Sequence, residues 1–232
     1  MALLWMVFSF IGGYLFGSIS VARIVSKIVS PGSDIEKIDL PDRNTGGSFQ
    51  LKTVGATTAS IVLGPKIGGL IGILDILKGA FPTLILRLLF PNDAFYLIAG
   101  LGIILGHIWP IYFKFRGGGG LSPTLGLLLV ISPLGTLVSV LLAFVVGMFL
   151  LKEIAFAVMG GPILFTIWSA VFIRDWFIVI LSLVLNLVLF IAVIPDVRYQ
   201  LQARKDGKTD LSTSMDTIPM GQMMKKMMMR MG

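Results

Sequence analysis

The only histidine of the chain, His107, heads the run Gly106-His107-Ile108-Trp109-Pro110-Ile111-Tyr112-Phe113-Lys114-Phe115-Arg116-Gly117-Gly118-Gly119-Gly120. Imidazole is the side chain whose ordinary titration lies near neutrality, so His107 is the first candidate for moving a proton. The alternative is a histidine that donates one hydrogen bond to a nearby carbonyl and orients the Trp109-Pro110 turn. The glycines Gly117, Gly118, Gly119 and Gly120 lack Cβ atoms, so their backbone can turn several N–H groups onto one anion. A helix starting after them would add its positive end. Lys114 and Arg116 flank the run, and arginine suits bidentate contact with phosphate. The junction is thus either a phosphate cradle or a flexible turn between helices. Asp75 and Lys78, three apart, share a helix face. They either neutralise each other or leave Lys78 facing an anion. Val54-Gly55-Ala56-Thr57-Thr58-Ala59-Ser60 offers hydroxyls and small residues that serve a site or cap a helix.

The elements that must position these groups are membrane helices. Of 232 residues, 56% are hydrophobic and 13% charged, against roughly 25% charged in a soluble domain. Apolar stretches of about 20 residues recur along the chain, as in a polytopic membrane protein. There is no cysteine, which excludes disulfides, thiolate chemistry and cysteine-held metals, and one histidine argues against a multi-histidine centre. The net charge of +7 fits basic cytoplasmic loops rather than a nucleic-acid partner.

The expected fold is an all-α bundle of about seven transmembrane helices, with six as the alternative, over residues 1–195. The first span is 3–25, with the amino terminus outside; Gly12-Gly13 and Gly17-Ser18 mark small-residue packing faces. A polar cytoplasmic loop covers 26–58. A second span runs from near Lys66 to near Phe90, and a third covers 94–113. Residues 121–151 divide at Ser132-Pro133 into a short pass and a longer one, since Pro133 breaks a helix and two passes keep the basic tail inside. The last spans are 154–173 and 176–195. A basic, methionine-rich cytoplasmic tail, 196–232, carries Met223-Met224-Lys225-Lys226-Met227-Met228-Met229-Arg230-Met231. It is either a segment resting on anionic headgroups or a tail without a role.

The order of motifs resembles the bacterial acyl-phosphate:glycerol-3-phosphate acyltransferases, membrane enzymes of the PlsY type. Gly17-Ser18-Ile19 is similar to the family's G-S-I. Gly55-Ala56-Thr57, with Leu63-Gly64 beyond, resembles G-A-T-N-x-x-R-x-L-G. Leu74-Asp75-Ile76-Leu77-Lys78-Gly79 resembles L-D-x-x-K-G. Gly106-His107, Pro110 and Phe115-Arg116-Gly117-Gly118 resemble G-H-x-x-P-x-x-x-x-F-x-G-G-K-G. The resemblance implies transfer of a fatty acyl group from acyl phosphate to glycerol 3-phosphate, giving lysophosphatidic acid and phosphate, with no cofactor and no metal. It implies a site at the cytoplasmic surface of the cell membrane, with membrane lipid and a soluble acyl-phosphate-producing enzyme as partners. Arg116, Gly117, Gly118, Gly119, Gly120 and Lys78 would hold phosphate. His107 would orient the junction or shuttle a proton, supported by Thr57, Thr58 and Ser18.

Several polar positions of the family pattern are replaced. Leu51 stands where the family has the serine of G-S-G-N, Thr58 replaces the asparagine of G-A-T-N, and Ile61 replaces its arginine. Gly119 replaces the lysine of G-G-K-G, and Val197 and Gln200 replace a histidine and an asparagine. Lys52, Lys114, Arg116 and Lys78 are the cations available to compensate. The alternative function is a catalytically inactive relative that binds lipid or a phosphorylated ligand, or serves as a partner subunit. A transporter would show matching halves with broken helices, which this chain lacks.

Overall fold

A computed structural model describes residues 1–32, 35–36, 38–41, 48–51, 53–151 and 153–205. Among the described residues nine α-helices follow one another: α1 Ala2–Gly17, α2 Val21–Val29, α3 Ala56–Leu63, α4 Pro65–Leu89, α5 Phe95–Ile108, α6 Leu121–Ile131, α7 Pro133–Val145, α8 Ile154–Trp168 and α9 Trp176–Lys205. A two-stranded antiparallel hairpin, β1 Ile38–Pro41 and β2 Ser48–Leu51, lies between α2 and α3 and pairs Ile38 with Leu51. Among the described residues six helical segments are long and apolar enough to cross a membrane. Neither the eight-residue α3 nor α6, with 11 residues, is among them; α6 spans only about 16 Å at 1.5 Å per residue.

The bundle is apolar outside and partly polar inside. Leu3, Phe81, Leu88, Leu141 and Phe190 are exposed, while Thr83, Thr124, Ser139, Ser169 and Ser182 are buried. That inversion suits hydrocarbon as the surrounding solvent, because every backbone and hydroxyl group must find its partner within the protein. The hydroxyls do so locally: Thr83 donates to Gly79 O at 2.7 Å and Ser182 to Ile178 O at 2.8 Å. Asn186 on α9 reaches Thr166 Oγ1 at 2.9 Å and Pro162 O at 3.2 Å on α8, tying the two helices beside a proline.

Small residues set the helix spacing. A Cβ on Gly13 would lie 2.3 Å from Ala99 O, one on Gly17 2.2 Å from Ile103 O, and one on Gly106 2.1 Å from Tyr14 O. The pairs advance together, so α1 and α5 run parallel with their backbones in contact, as small-xxx-small faces allow. Gly12, by contrast, faces open space. Gly79 on α4 and Gly126 on α6 make the same kind of seam, against Pro123 O and Ile76 O. A core cluster of Leu97, Ile104, Leu127, Leu128, Phe165 and Leu185 fills the centre.

The first span is not one rod. It breaks at Ser18-Ile19-Ser20, and Ser20 accepts a hydrogen bond from Arg23 N to start α2. The expected loop 26–58 contains the end of α2, the hairpin and the start of α3. Its strands are four residues each, too short for alternation to stand out among turn residues. The break at Ser132-Pro133 falls where expected: Ser132 is extended, its Oγ accepts from Gly135 N, and Pro133 opens α7. The last helix continues past Pro195 to Lys205, so the tail begins as helix. Residues 206–232, including the methionine-rich segment, lie outside the described residues.

Candidate functional site

The junction between α5 and α6 is built by a reversal that only certain residues permit. Trp109 N–H closes the end of α5 on Leu105 O, and a short 3-10 turn, Ile111–Phe113, follows Pro110. Lys114 and Phe115 then adopt positive φ, 52° and 59°, a conformation uncommon in non-glycine residues. Phe115 N donates to Pro110 O and Arg116 N to Phe113 O, both at 3.0 Å, which holds that reversal. Arg116 and Lys114 are left exposed.

The four glycines are not equivalent. A Cβ at Gly117 would sit 2.0 Å from His107 O, at Gly118 2.2 Å from His107 Nε2, and at Gly120 2.6 Å from Ile108 Cδ1. Gly120 also has φ 81°. At Gly119 a Cβ would meet nothing within 4 Å. Three positions thus need glycine because the chain packs on His107 and Ile108, whereas the fourth opens onto free space. The loop is fastened on both sides. Gly118 N donates to His107 O at 3.0 Å, and Gly117 O accepts from Val54 N at 2.8 Å. No side chain caps the start of α6, so its first amides face the loop.

Beneath the loop lies a buried polar cluster. Lys78 Nζ donates to Gly17 O at 3.1 Å and Ile19 O at 3.0 Å, and lies 3.0 Å from His107 Nδ1 and 3.3 Å from Asp75 Oδ1. Asp75 Oδ1 is 3.5 Å from His107 Nδ1 and has no hydrogen-bond partner among the described residues. The ammonium therefore caps the carbonyl end of α1, where the helix dipole is negative. With that ammonium as donor to Nδ1, a neutral His107 ring carries its proton on Nε2, the nitrogen packed against Gly118.

The predicted site residues fall into distinct positions. Arg116, Gly117, Gly118, Gly119, Gly120 and His107 form one surface and its support. Lys78, expected to face phosphate, is buried with its ammonium engaged by α1 and His107, because hydrocarbon offers it no water. Ser18 is fully buried, donating to Tyr14 O and accepting weakly from Ile111 N at 3.4 Å. Thr58 is buried and caps α3, accepting from Gly55 N at 2.8 Å and donating to Gly55 O at 2.9 Å. Thr57 is exposed, and Lys52 lies outside the described residues. Among those residues no group of three or more His, Cys, Asp or Glu is placed to hold a metal.

Sequence reasoning missed Arg23. Its guanidinium is buried, donating from Nη2 to Arg116 O at 2.8 Å, from Nε to Glu36 at 2.7 Å and from Nη1 to Ser20 Oγ at 3.3 Å, and it stacks 4.3 Å from the Phe113 ring centre. It clamps the loop from behind. The available signal was a lone cation at the end of an apolar span, which needs a partner.

An apolar-coated bundle with six segments long and apolar enough to cross a membrane among its described residues, closed over a buried polar cluster, defines an integral membrane protein. The chain belongs to the glycerol-3-phosphate acyltransferase family, whose profile matches residues 7–203. It is 32% identical over 182 residues to the glycerol-3-phosphate acyltransferase of Thermoanaerobacter pseudethanolicus, a match covering 78% of this chain and 85% of that relative. It is 36% identical over 179 residues to glycerol-3-phosphate acyltransferase 2 of Bacillus anthracis, covering 77% and 86%. Its fold is similar to crystal structures of PlsY, an integral membrane glycerol 3-phosphate acyltransferase. The glycerol 3-phosphate form gives a TM-score of 0.68 at 29% identity, covering 88% of this chain and 93% of that one. The lysophosphatidic acid form gives 0.67 at 28% identity.

Proposed function

We propose that this chain transfers a fatty acyl group from acyl phosphate to glycerol 3-phosphate in phospholipid synthesis. The observation that carries the reading is the α5–α6 junction: three glycines packed on the His107 and Ile108 side chains and backbone, one open glycine and an exposed Arg116, in a chain of this family. In the reaction the acceptor hydroxyl oxygen bonds to the acyl carbon. The bond from that carbon to the phosphate oxygen breaks, and the hydroxyl proton leaves with phosphate. Two phosphate groups must be held close together, which backbone amides and arginine do well, and fixing the two reactants side by side supplies much of the rate. Gly119, Gly120 and the start of α6 offer the amides, and Arg116 and Lys114 offer mobile cations. Lys78, His107, Ser18 and Thr58 support the loop.

The amino terminus lies outside the cell membrane, and the junction and tail lie in the cytoplasm, as Lys114, Arg116, Arg198 and Arg204 suggest under the positive-inside bias. A soluble acyl-phosphate-producing enzyme supplies the donor. A second reading, ligand binding without turnover, is favoured by the loss of two cations from the family pattern, at Ile61 and Gly119. The test is to give purified protein acyl phosphate and glycerol 3-phosphate and follow lysophosphatidic acid and phosphate. Turnover that falls in Arg116→Ala supports transfer. Saturable binding of glycerol 3-phosphate with no product supports the second reading.

A further inference from the structure

The last turn of α6 is buried, and its ending leaves carbonyls that the helix's own ladder does not serve. Ser132 N serves Leu128 O at 2.9 Å. The next acceptor, Leu129 O, would need the N–H that Pro133 lacks. Gly135 N, the natural partner of Ile131 O, is taken by Ser132 Oγ at 3.1 Å. Buried carbonyls of this kind need a partner from within the protein. Arg87, near the end of α4, points a guanidinium nitrogen at Val130 O, and the same nitrogen lies 3.4 Å from Ile131 O. The guanidinium also stands 5.7 Å from the Tyr96 ring centre on α5. One half-buried cation therefore closes α6 and joins it to α4 and α5.

We propose that Arg87 is a positioning residue for the glycine-rich loop, acting through α6. The helix is an 11-residue rod with the loop at one end and Arg87 at the other. Along its side Gly79 and Gly126 bring the α4 and α6 backbones into contact, which guides α6 without stopping it from sliding along its axis. The Arg87 cap supplies the axial stop. It works as Lys78 does at the end of α1: both cations stand on α4, and each holds the carbonyl end of a different helix that meets the junction. Arg87 touches no part of the loop, so its effect is transmitted along α6.

The absence of cysteine from the chain makes the loop readable with one thiol. Gly119→Cys introduces a side chain where a Cβ meets nothing within 4 Å. The rate at which a water-soluble maleimide modifies it, in full-length protein in lipid nanodiscs, reports loop geometry. Adding Arg87→Ala is expected to raise that rate roughly ten-fold, the scale of one lost buried hydrogen-bond cap on local opening. Arg87→Lys, which keeps a donor, is expected to restore it to within about three-fold. An unchanged rate in Arg87→Ala overturns the proposal. Should the alanine variant not fold, Arg87→Met, which keeps side-chain length but has no donor, decides by the same criterion. The catalytic consequence, a higher KM for glycerol 3-phosphate, rests on the function proposed above. That function fails if the wild-type chain makes no lysophosphatidic acid, whereas the role of Arg87 fails if the thiol rate does not move.

Discussion

Replacing Gly118 by alanine should disable the junction while leaving the bundle assembled. The new methyl carbon would stand 2.2 Å from His107 Nε2, with ring atoms at 3.0 and 3.1 Å. Reaching ordinary contact requires a shift of about 1.2 Å, either of the loop or of the imidazole. The ring has little room to yield. Its Nδ1 faces the Lys78 ammonium at 3.0 Å, which is itself fastened to Gly17 O and Ile19 O. The loop must therefore move, carrying the Gly119 and Gly120 amides with it and straining the Gly118 N to His107 O bond. A displacement of that order at a group that positions substrate costs about 100-fold in rate. Overpacking of one methyl costs about 1–3 kcal/mol of stability. The assay is kcat/KM for acyl transfer to glycerol 3-phosphate beside thermal unfolding, with Gly69→Ala, where a Cβ meets nothing within 4 Å, as the control. Wild-type kcat/KM in Gly118→Ala would refute the steric reasoning. An equal loss in Gly69→Ala would refute its specificity.

Further outcomes follow from the same geometry. Gly119→Lys, which puts a cation in open space beside Arg116, should lower the KM for glycerol 3-phosphate by roughly ten-fold, the scale of one charge-assisted hydrogen bond; steady-state kinetics with varied acceptor checks it. Arg23→Lys should fail to rescue the roughly ten-fold loss of kcat/KM expected for Arg23→Ala, because one ammonium cannot reproduce the fork that serves Glu36, Ser20 and Arg116 O together. Lys78→Met should destabilise by about 3–5 kcal/mol, since it strands the Asp75 carboxylate in a buried site, and the double variant with Asp75→Asn should recover part of that. Thermal unfolding in one detergent, read as a double-mutant cycle, measures the recovery.

Much of the framework was legible because it depends on local composition. Apolar runs about 20 residues long marked the spans. Pro133 marked the break after α6, and the Gly13–Gly17 spacing marked a seam that the structure fills with Ala99 and Ile103. The glycine run was visible as a possible cradle. What could not be read was which glycines the fold demands, since that depends on His107 and Ile108 lying against them. Asp75 and Lys78 were seen to share a helix face, with pairing or an anion site left open, but not that Lys78 closes α1 across sixty residues of chain. Arg23 and Arg87 were visible only as cations near span ends, because their partners are carbonyls of distant segments, and carbonyls leave no trace in a sequence. The hairpin was missed because four-residue strands carry too little pattern.

The parallel seam between α1 and α5 has a bearing on how the protein is made. The main partner of α1 is not its neighbour in the chain but a helix that begins only at Phe95. At roughly 5–20 residues per second, α1 spends several seconds in the bilayer before Ala99 and Ile103 arrive to fill the surface at Gly13 and Gly17. It can wait because it carries no charged side chain and exposes Leu3, Leu4, Phe8 and Ile11 to lipid. The polar residues that finish the assembly, Lys78 and His107, come later on the very helices that must close over its end. Lys78 is made before α5, whereas Ala99, Ile103 and His107 arrive together on it, so the cluster beneath the loop is completed only when α5 joins α1.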